Sequence, residues 1–205
     1  MPEPLIPPHG GYKKLVTYQL GNLIYDATVA FCERYINRKD RTFDQMVQAA
    51  RSGVINIIEG SEASATSKKT ELKLTNVAKA SQEELLADYQ AFLRQRNLPE
   101  WSADDPSAVM VRQSRPGTLD ELRKLMAALV SDLSDLSDRS DLSDKSDKNA
   151  LLATIAANTM ICLVNQETYL LKRQIDRLAA DFKNSGGFSE RLYRVRKTSR
   201  GEKEK

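Results

Sequence analysis

The chain has 205 residues, 40% of them apolar, an ordinary composition for a globular protein with one compact domain plus appendages. Its formal charge of +3 is misleading, because residues 188–205 carry seven Lys or Arg against three acids and leave 24 basic and 25 acidic residues in the body. Bulk charge therefore does not mark a nucleic-acid binder. No run of about 18 apolar residues occurs, which excludes a membrane-spanning helix. Met1 to Gly11 holds Pro2, Pro4, Pro7 and Pro8 without the basic and apolar stretches of a signal peptide. Cys32 and Cys162 lie far apart within apolar helical patterns and read as small core residues, in keeping with a reducing cytoplasm.

After a disordered lead-in over residues 1–11, Leu15, Leu20, Leu23, Ile24, Ala27, Phe31 and Ile36 recur at helical spacing and predict a helix over 13–36. A polar turn at 37–41 leads to a second helix over 42–62, which Gly60 and the small polar stretch 61–67 interrupt. Ser67 caps a third helix over 68–96, striped by Leu72, Leu74, Val77, Ala78, Leu85, Leu86, Tyr89 and Leu93. Asn97, Leu98 and Pro99 end it, and 99–117 reads as a loop through Pro106 and Pro116.

Thr118 followed by Glu121 is a capping-box pattern and opens a short helix over 119–133. From Ser131 to Asp147 the dipeptide Ser-Asp occurs six times, at every third residue. A period of three matches neither helix nor strand and holds no apolar face in place, so 131–148 is expected to be a flexible linker. The last helix, over 149–183, places Leu152, Ile155, Thr159, Leu163, Tyr169, Leu170, Ile175, Leu178 and Phe182 on or near its buried side. Gly186 and Gly187 stop it, and residues 188–205 form a basic tail. The expected class is all-α: an antiparallel four-helix bundle over 12–187 with a Ser-Asp insertion before the last long helix.

His9 is the sole histidine and lies among prolines, so neither a Ser/His/Asp nor a Cys/His arrangement can be assembled. A His-rich metal site and a Gly-rich phosphate loop are missing as well, and no cofactor is expected. The chain reads as a binding protein, not an enzyme.

The most distinctive stretch is QMVQAARSGVINIIEG, Gln45 to Gly60. Val54, Ile55, Ile57 and Ile58 span an arc of about 160° on a helical wheel, wide enough to face more than one neighbouring helix. Ala49, Gly53, Asn56 and Gly60 form a narrow row of small residues beside it, where another helix can approach closely. Gly53 costs about 1 kcal/mol of helix propensity relative to Ala, and close packing is the natural compensation. Asn56 and Glu59, three apart, can share a hydrogen-bonding partner. The row serves either as a contact within a bundle or as a surface for ligand or further copies.

The same residues carry a resemblance. The stretch is similar to the signature Gln-Leu-Arg-Arg-Ala-Ala-x-Ser-Ile-Pro-x-Asn-Ile-Ala-Glu-Gly of bacterial four-helix-bundle proteins encoded in intervening sequences of large-subunit ribosomal RNA genes. It also resembles the accessory variability proteins of diversity-generating retroelements. Gln45, Ala49, Ala50, Ser52, Asn56, Ile57, Glu59 and Gly60 fall on the motif, and Ser67, Lys69, Glu71, Ala78, Ser81, Glu84 and Leu85 resemble its continuation. The signature's paired arginines fall on Val47 and Gln48, and Arg51 stands at a position usually apolar or small. The Ser-Asp linker and basic tail resemble the variants with an extended C-terminal half, described as a four-helix-bundle suffix.

The resemblance implies a four-helix protomer assembling into a pentamer, with a basic surface that in the retroelement branch binds nucleic acid and a reverse transcriptase. Candidate phosphate contacts for RNA or DNA are Lys13, Lys14, Arg51, Lys68, Lys69, Lys73 and Lys79, joined by Arg191, Arg194, Arg196, Lys197 and Arg200 in the tail. Ala49, Gly53, Asn56, Ile57, Glu59 and Gly60 are the candidate packing or oligomer motif. The alternative is a structural or adaptor bundle that self-associates or binds a protein partner without nucleic acid.

Overall fold

A computed structural model of the chain describes residues 6, 9–136 and 145–201. Most of the lead-in, the centre of the Ser-Asp repeat and the end of the basic tail lie outside the described residues. The protein is all-helical, with no strand among the described residues. A short 3-10 turn at Tyr12–Lys14 precedes α1 (Val16–Tyr35), α2 (Arg41–Ala63), α3 (Lys68–Gln95), α4 (Pro106–Ser114), α5 (Leu119–Leu136), α6 (Lys145–Ser185) and α7 (Phe188–Gly201). Among the described residues no helix is long and apolar enough to cross a membrane.

The helix starts follow from side-chain oxygens that satisfy otherwise orphaned backbone N–H groups. Asp40 accepts from Thr42 N at 2.9 Å, and Ser67 accepts from Thr70 N at 3.1 Å. Thr118 accepts from Glu121 N at 3.2 Å, while the Glu121 carboxylate reaches past Thr118 to the Gly117 N–H at 2.7 Å.

Two expectations from sequence need correction, and the tail gains an element. The stretch 99–117 is not all loop, because α4 occupies Pro106–Ser114. Asp105 caps it by accepting from Ser107 N at 2.8 Å, and Pro106 sits in the first turn, where its missing N–H costs nothing. Its buried residues are only Ser107, Ala108 and Val111, too few to announce a period. The linker expected over 131–148 is helical at both ends: α5 continues to Leu136 and α6 begins at Lys145. Elongating a helix already anchored by buried Leu122 and Leu129 needs no apolar face, and the repeat contains neither Gly nor Pro. The basic tail is helical over Phe188–Gly201, after Gly186 leaves α6 at φ +69° and Glu190 accepts from Gly187 N at 2.9 Å.

Packing runs in a closed ring: α1 against α2, α2 against α3, α3 against α6 and α6 against α1. α4 and α5 add to the ring by packing on α6 and on each other, and α5 also touches α1. Residues 153–164 of α6 are consequently buried all round, where a single-sided stripe was expected. The core is aromatic at one level, with Phe31 packed on Tyr89 and Phe92 at ring separations of 4.9 Å. Tyr89, fully buried, donates its hydroxyl hydrogen to Thr28 at 3.0 Å.

The seam between α2 and α3 is set by glycine. A Cβ built on Gly53 would run into the Gln82 carboxamide, and one built on Gly60 would lie 3.4 Å from Leu74 Cβ. Ser52 and Ser81 share a hydroxyl hydrogen bond of 2.9 Å across the same seam. Overpacking at a buried site costs about 1–3 kcal/mol, against about 1 kcal/mol of helix propensity gained on replacing Gly by Ala. Gly53→Ala is therefore expected to destabilise the native chain in urea unfolding. In a Gln82→Ala background, where the obstructing side chain is gone, the same change should stabilise by about 1 kcal/mol.

Candidate functional site

The row of small residues singled out on α2 is consumed inside the chain. Ala49, Gly53, Ile57 and Gly60 are buried, with Gly53 and Gly60 facing α3. Asn56 is half-buried and donates through Nδ2 to the Ser52 carbonyl at 2.8 Å and to Ser52 Oγ at 3.2 Å, so it braces the serine that bridges to α3. Glu59 is exposed and shares no hydrogen-bonding partner with Asn56 among the described residues. Ala49, Gly53, Ile57 and Gly60 thus belong to a packing seam within the chain, with Asn56 at its edge and Glu59 on the surface.

Opposite the glycines lie polar groups in the core. Glu167 of α6 is 0% exposed, and neither carboxyl oxygen finds a hydrogen-bond partner among the described residues. A Cβ built on Gly21 of α1 would lie 2.6 Å from Glu167 Oε1, so glycine makes the room this carboxyl occupies. Burial pushes its pKa well above the ordinary 4.5, because the charged form would lose its hydration with no compensating partner. Gln82 of α3 is likewise 0% exposed, with its amide nitrogen and oxygen both unpaired among the described residues.

The two thiols are not set up as nucleophiles. Burial, aided by Asp88, pushes Cys32 up to about 12, and burial pushes Cys162 up to about 11 against the opposing effect of Arg112. Among the described residues no three His, Cys, Asp or Glu side chains gather as a metal-binding group.

The candidate cations divide into distinct sets. Lys68 is paired with Glu71 at 2.8 Å, and Lys79 is paired with Glu83. Lys69 and Lys73 are exposed one turn apart on α3, while Lys13 and Lys14 are exposed in the 3-10 turn and Arg51 on α2. None of these five forms an ion pair among the described residues. On α7, Arg194, Arg196 and Lys197 are exposed and Arg191 is half-buried; the Arg200 side chain lies outside the described residues. The structure therefore brings Lys69 and Lys73 together but leaves Arg51 and the α7 set on other elements. The polar groove between α2 and α3, about 780 Å³, is lined by Arg41 and by Asp44, Glu84 and Asp88. Burial, then the nearby Glu84, raises the Asp88 pKa, and so acidic a groove does not suit phosphate.

Sequence reasoning missed a different concavity. Between the start of α1, the α4–α5 connection and α6 lies a groove of about 540 Å³ lined by Arg112, Arg115, Arg173, Tyr169, Val16 and Gln166, among others, with no carboxylate in its walls. Tyr169, expected on the buried side of the last helix, is 60% exposed here, and Val16 is 62% exposed. The signal available in sequence was Tyr169 and Arg173 four apart on one helix, a spacing absorbed into the presumed core stripe. Arg112 and Arg115 could not be found, since they fall in the stretch that had been expected to be loop.

No protein-family model, curated protein or solved structure matches the chain. The buried carboxyl gives a direct test of the core. The folded chain keeps the Glu167 proton at pH values where the unfolded chain has released it. The stability it contributes is therefore full below the ordinary glutamate pKa and is lost as pH rises towards the raised folded value. Within that window each pH unit costs up to about 1.4 kcal/mol. Glu167→Gln, neutral throughout and nearly the same shape, should remove this slope. Urea midpoints of variant and native chain are expected to agree near about pH 4 and to separate in the variant's favour by about pH 8.

Proposed function

We propose that the chain is a non-enzymatic, oligomeric nucleic-acid-binding accessory protein of the ribosomal RNA intervening-sequence or retroelement type, whose α1, α2, α3 and α6 form an antiparallel four-helix bundle. Pairwise contacts support the direction of the helices. Cys32 meets Met46 while Gly21 lies beside Val54, so numbers rise on α1 as they fall on α2. Gly53 faces Gln82 and Gly60 faces Leu74, the same relation between α2 and α3. Thr17 donates to Gln174 at 2.9 Å while Gly21 faces Glu167, which repeats it for α1 and α6.

The observation that carries the binding reading is that exposed Lys13, Lys14, Arg51, Lys69 and Lys73 form no ion pair among the described residues, above all Lys69 and Lys73 one turn apart on α3. Lysines that serve only to solvate a helix gain from i, i+4 carboxylate partners, as Lys79 does from Glu83. Lys69 and Lys73 have no such carboxylate partner among the described residues, and phosphate is the anion the resemblance implies. Two buried thiols held protonated and a lone histidine in the lead-in support a binding protein over a catalyst.

The test is fluorescence anisotropy of labelled RNA and DNA with the full chain. Binding should be present at low salt and fall linearly on a log–log plot of affinity against salt, with a slope of roughly −0.7 to −0.9 per phosphate neutralised. Lys69→Ala with Lys73→Ala should weaken binding and make that slope shallower by about one to two such contacts. No binding at low salt would remove this function. Light scattering tests assembly separately: the resemblance implies five copies of the 23.0 kDa protomer, and a monomer mass would remove the oligomer.

A further inference from the structure

We propose that the arginine groove between α1, the α4–α5 connection and α6 binds single-stranded nucleic acid, with phosphates on Arg112, Arg115 and Arg173 and an unpaired base stacked on Tyr169. This assignment rests on the nucleic-acid-binding reading above and adds to its Lys69 and Lys73 contacts on α3 a second contact surface and a strand state.

Charge decides the class of ligand first. Three guanidinium groups line one concavity of about 540 Å³, and no Asp or Glu lines it with them. None of the three pairs with a carboxylate among the described residues. An arginine cluster without acids selects an anion, and the planar guanidinium fork suits the paired oxygens of phosphate. One of the groups, the Arg112 guanidinium, is also held in place. Arg112 donates through Nη2 to the Ala103 carbonyl at 2.6 Å, and Gln166 donates to the Arg112 carbonyl at 3.3 Å. Arg115 stands at φ +45°, ψ +57°, a left-handed conformation uncommon for arginine, at the turn where α4 ends before Pro116. That turn carries its side chain into the groove wall beside α6.

The exposed ring decides the rest. Tyr169 is 60% exposed, and the Arg173 guanidinium lies 6.0 Å from its ring centroid. Val16, 62% exposed, supplies further apolar surface in the same groove. A large aromatic left open beside arginines has a face for a base and a charge for the phosphate next to it. A duplex keeps its bases stacked on one another and cannot present one to the ring, whereas a single strand can. The groove begins at Val16 and Gln19, and Gln19 donates to the Lys13 carbonyl at 3.0 Å, so one end opens beside the exposed Lys13–Lys14 turn. A strand leaving the groove there meets more positive charge.

The experiment uses the full chain and a labelled oligothymidine of about 15 nucleotides, long enough for one site. It is compared with a hairpin duplex of equal charge and with polyglutamate. The expected result is tighter binding of the single strand than of the hairpin, by about tenfold or more. Tyr169→Ala should lose about 5- to 100-fold in affinity for the single strand, while Tyr169→Phe retains it. Arg173→Ala, and Arg115→Asn, chosen because asparagine tolerates the left-handed turn, should each weaken binding and reduce the salt slope by about 0.7. All these side chains are exposed, and circular dichroism melts verify that the variants fold. If the native chain binds nucleic acid and these variants bind equally well while the Lys69/Lys73 variant does not, the groove assignment fails and the broader function stands. Absence of any nucleic-acid binding overturns both. Polyglutamate binding that depends on the same arginines, without a preference for the oligonucleotide, would make the groove a site for acidic protein and overturn the assignment.

Discussion

Two close approaches of backbone to side chain set the geometry on which the ring of helices depends. At Gly21 the α1 backbone leaves room for the Glu167 carboxyl, and at Gly53 the α2 backbone leaves room for the Gln82 amide. Each pair joins a residue without a side chain to a long polar one, and each polar end is wholly buried. The arrangement therefore admits no side chain at either glycine without displacing a buried polar end. Its cost is the burial of polar atoms without partners among the described residues, a cost moderated for Glu167 by holding the carboxyl neutral.

Once that spacing is fixed, α6 becomes the element on which the rest is assembled. It meets α1 and α3 from the ring and α4 and α5 from the added layer, so residues 153–164 have no solvent side. Asn158 shows how a polar residue survives there: it donates to the carbonyls of Pro99 and Thr154 and accepts from the backbone N–H of Trp101. That fully paired side chain anchors the end of α3 and the segment leading to α4 against α6. Beyond residue 164 α6 regains exposed positions, Gln166 still bonds the Arg112 carbonyl of α4, and Tyr169 and Arg173 emerge where α4 stops.

Much of the scaffold was legible because its helices satisfy several local rules at once. Ser67 and Thr118 cap, Gly186 terminates, and the apolar residues of α1, α2 and α3 recur at helical spacing. The row Ala49, Gly53, Gly60 was legible as a close contact, and its partner was not, since Gln82 is far away in sequence and polar. Glu167 gave no signal either: a glutamate beside Gln166 and Thr168 reads as a solvated face, and only the glycine opposite explains its burial. The extra helices hid for opposite reasons. α4 buries too few apolar residues to show a period, while the described ends of the Ser-Asp repeat, 131–136 on α5 and 145–147 on α6, are helical despite a period of three that fits no helix.

The arginine groove follows from the same logic of addition. Arg112 lies in the last turn of α4, Arg115 in the turn that ends it, and Arg173 on α6 two turns beyond the α4 contact. None belongs to the residues that carry the resemblance to the intervening-sequence proteins, which run from Gln45 to Gly60 on α2 and from Ser67 to Leu85 along α3. A bundle of α1, α2, α3 and α6 alone would leave Tyr169 as an isolated exposed ring on a mixed helix face. Packing α4 beside it converts that face into a walled concavity by delivering two further cations on a rigid, capped element. Charge that the sequence disperses over more than sixty residues is thereby concentrated within one groove, and this concentration comes from the tertiary contact of α4 with α6, not from composition.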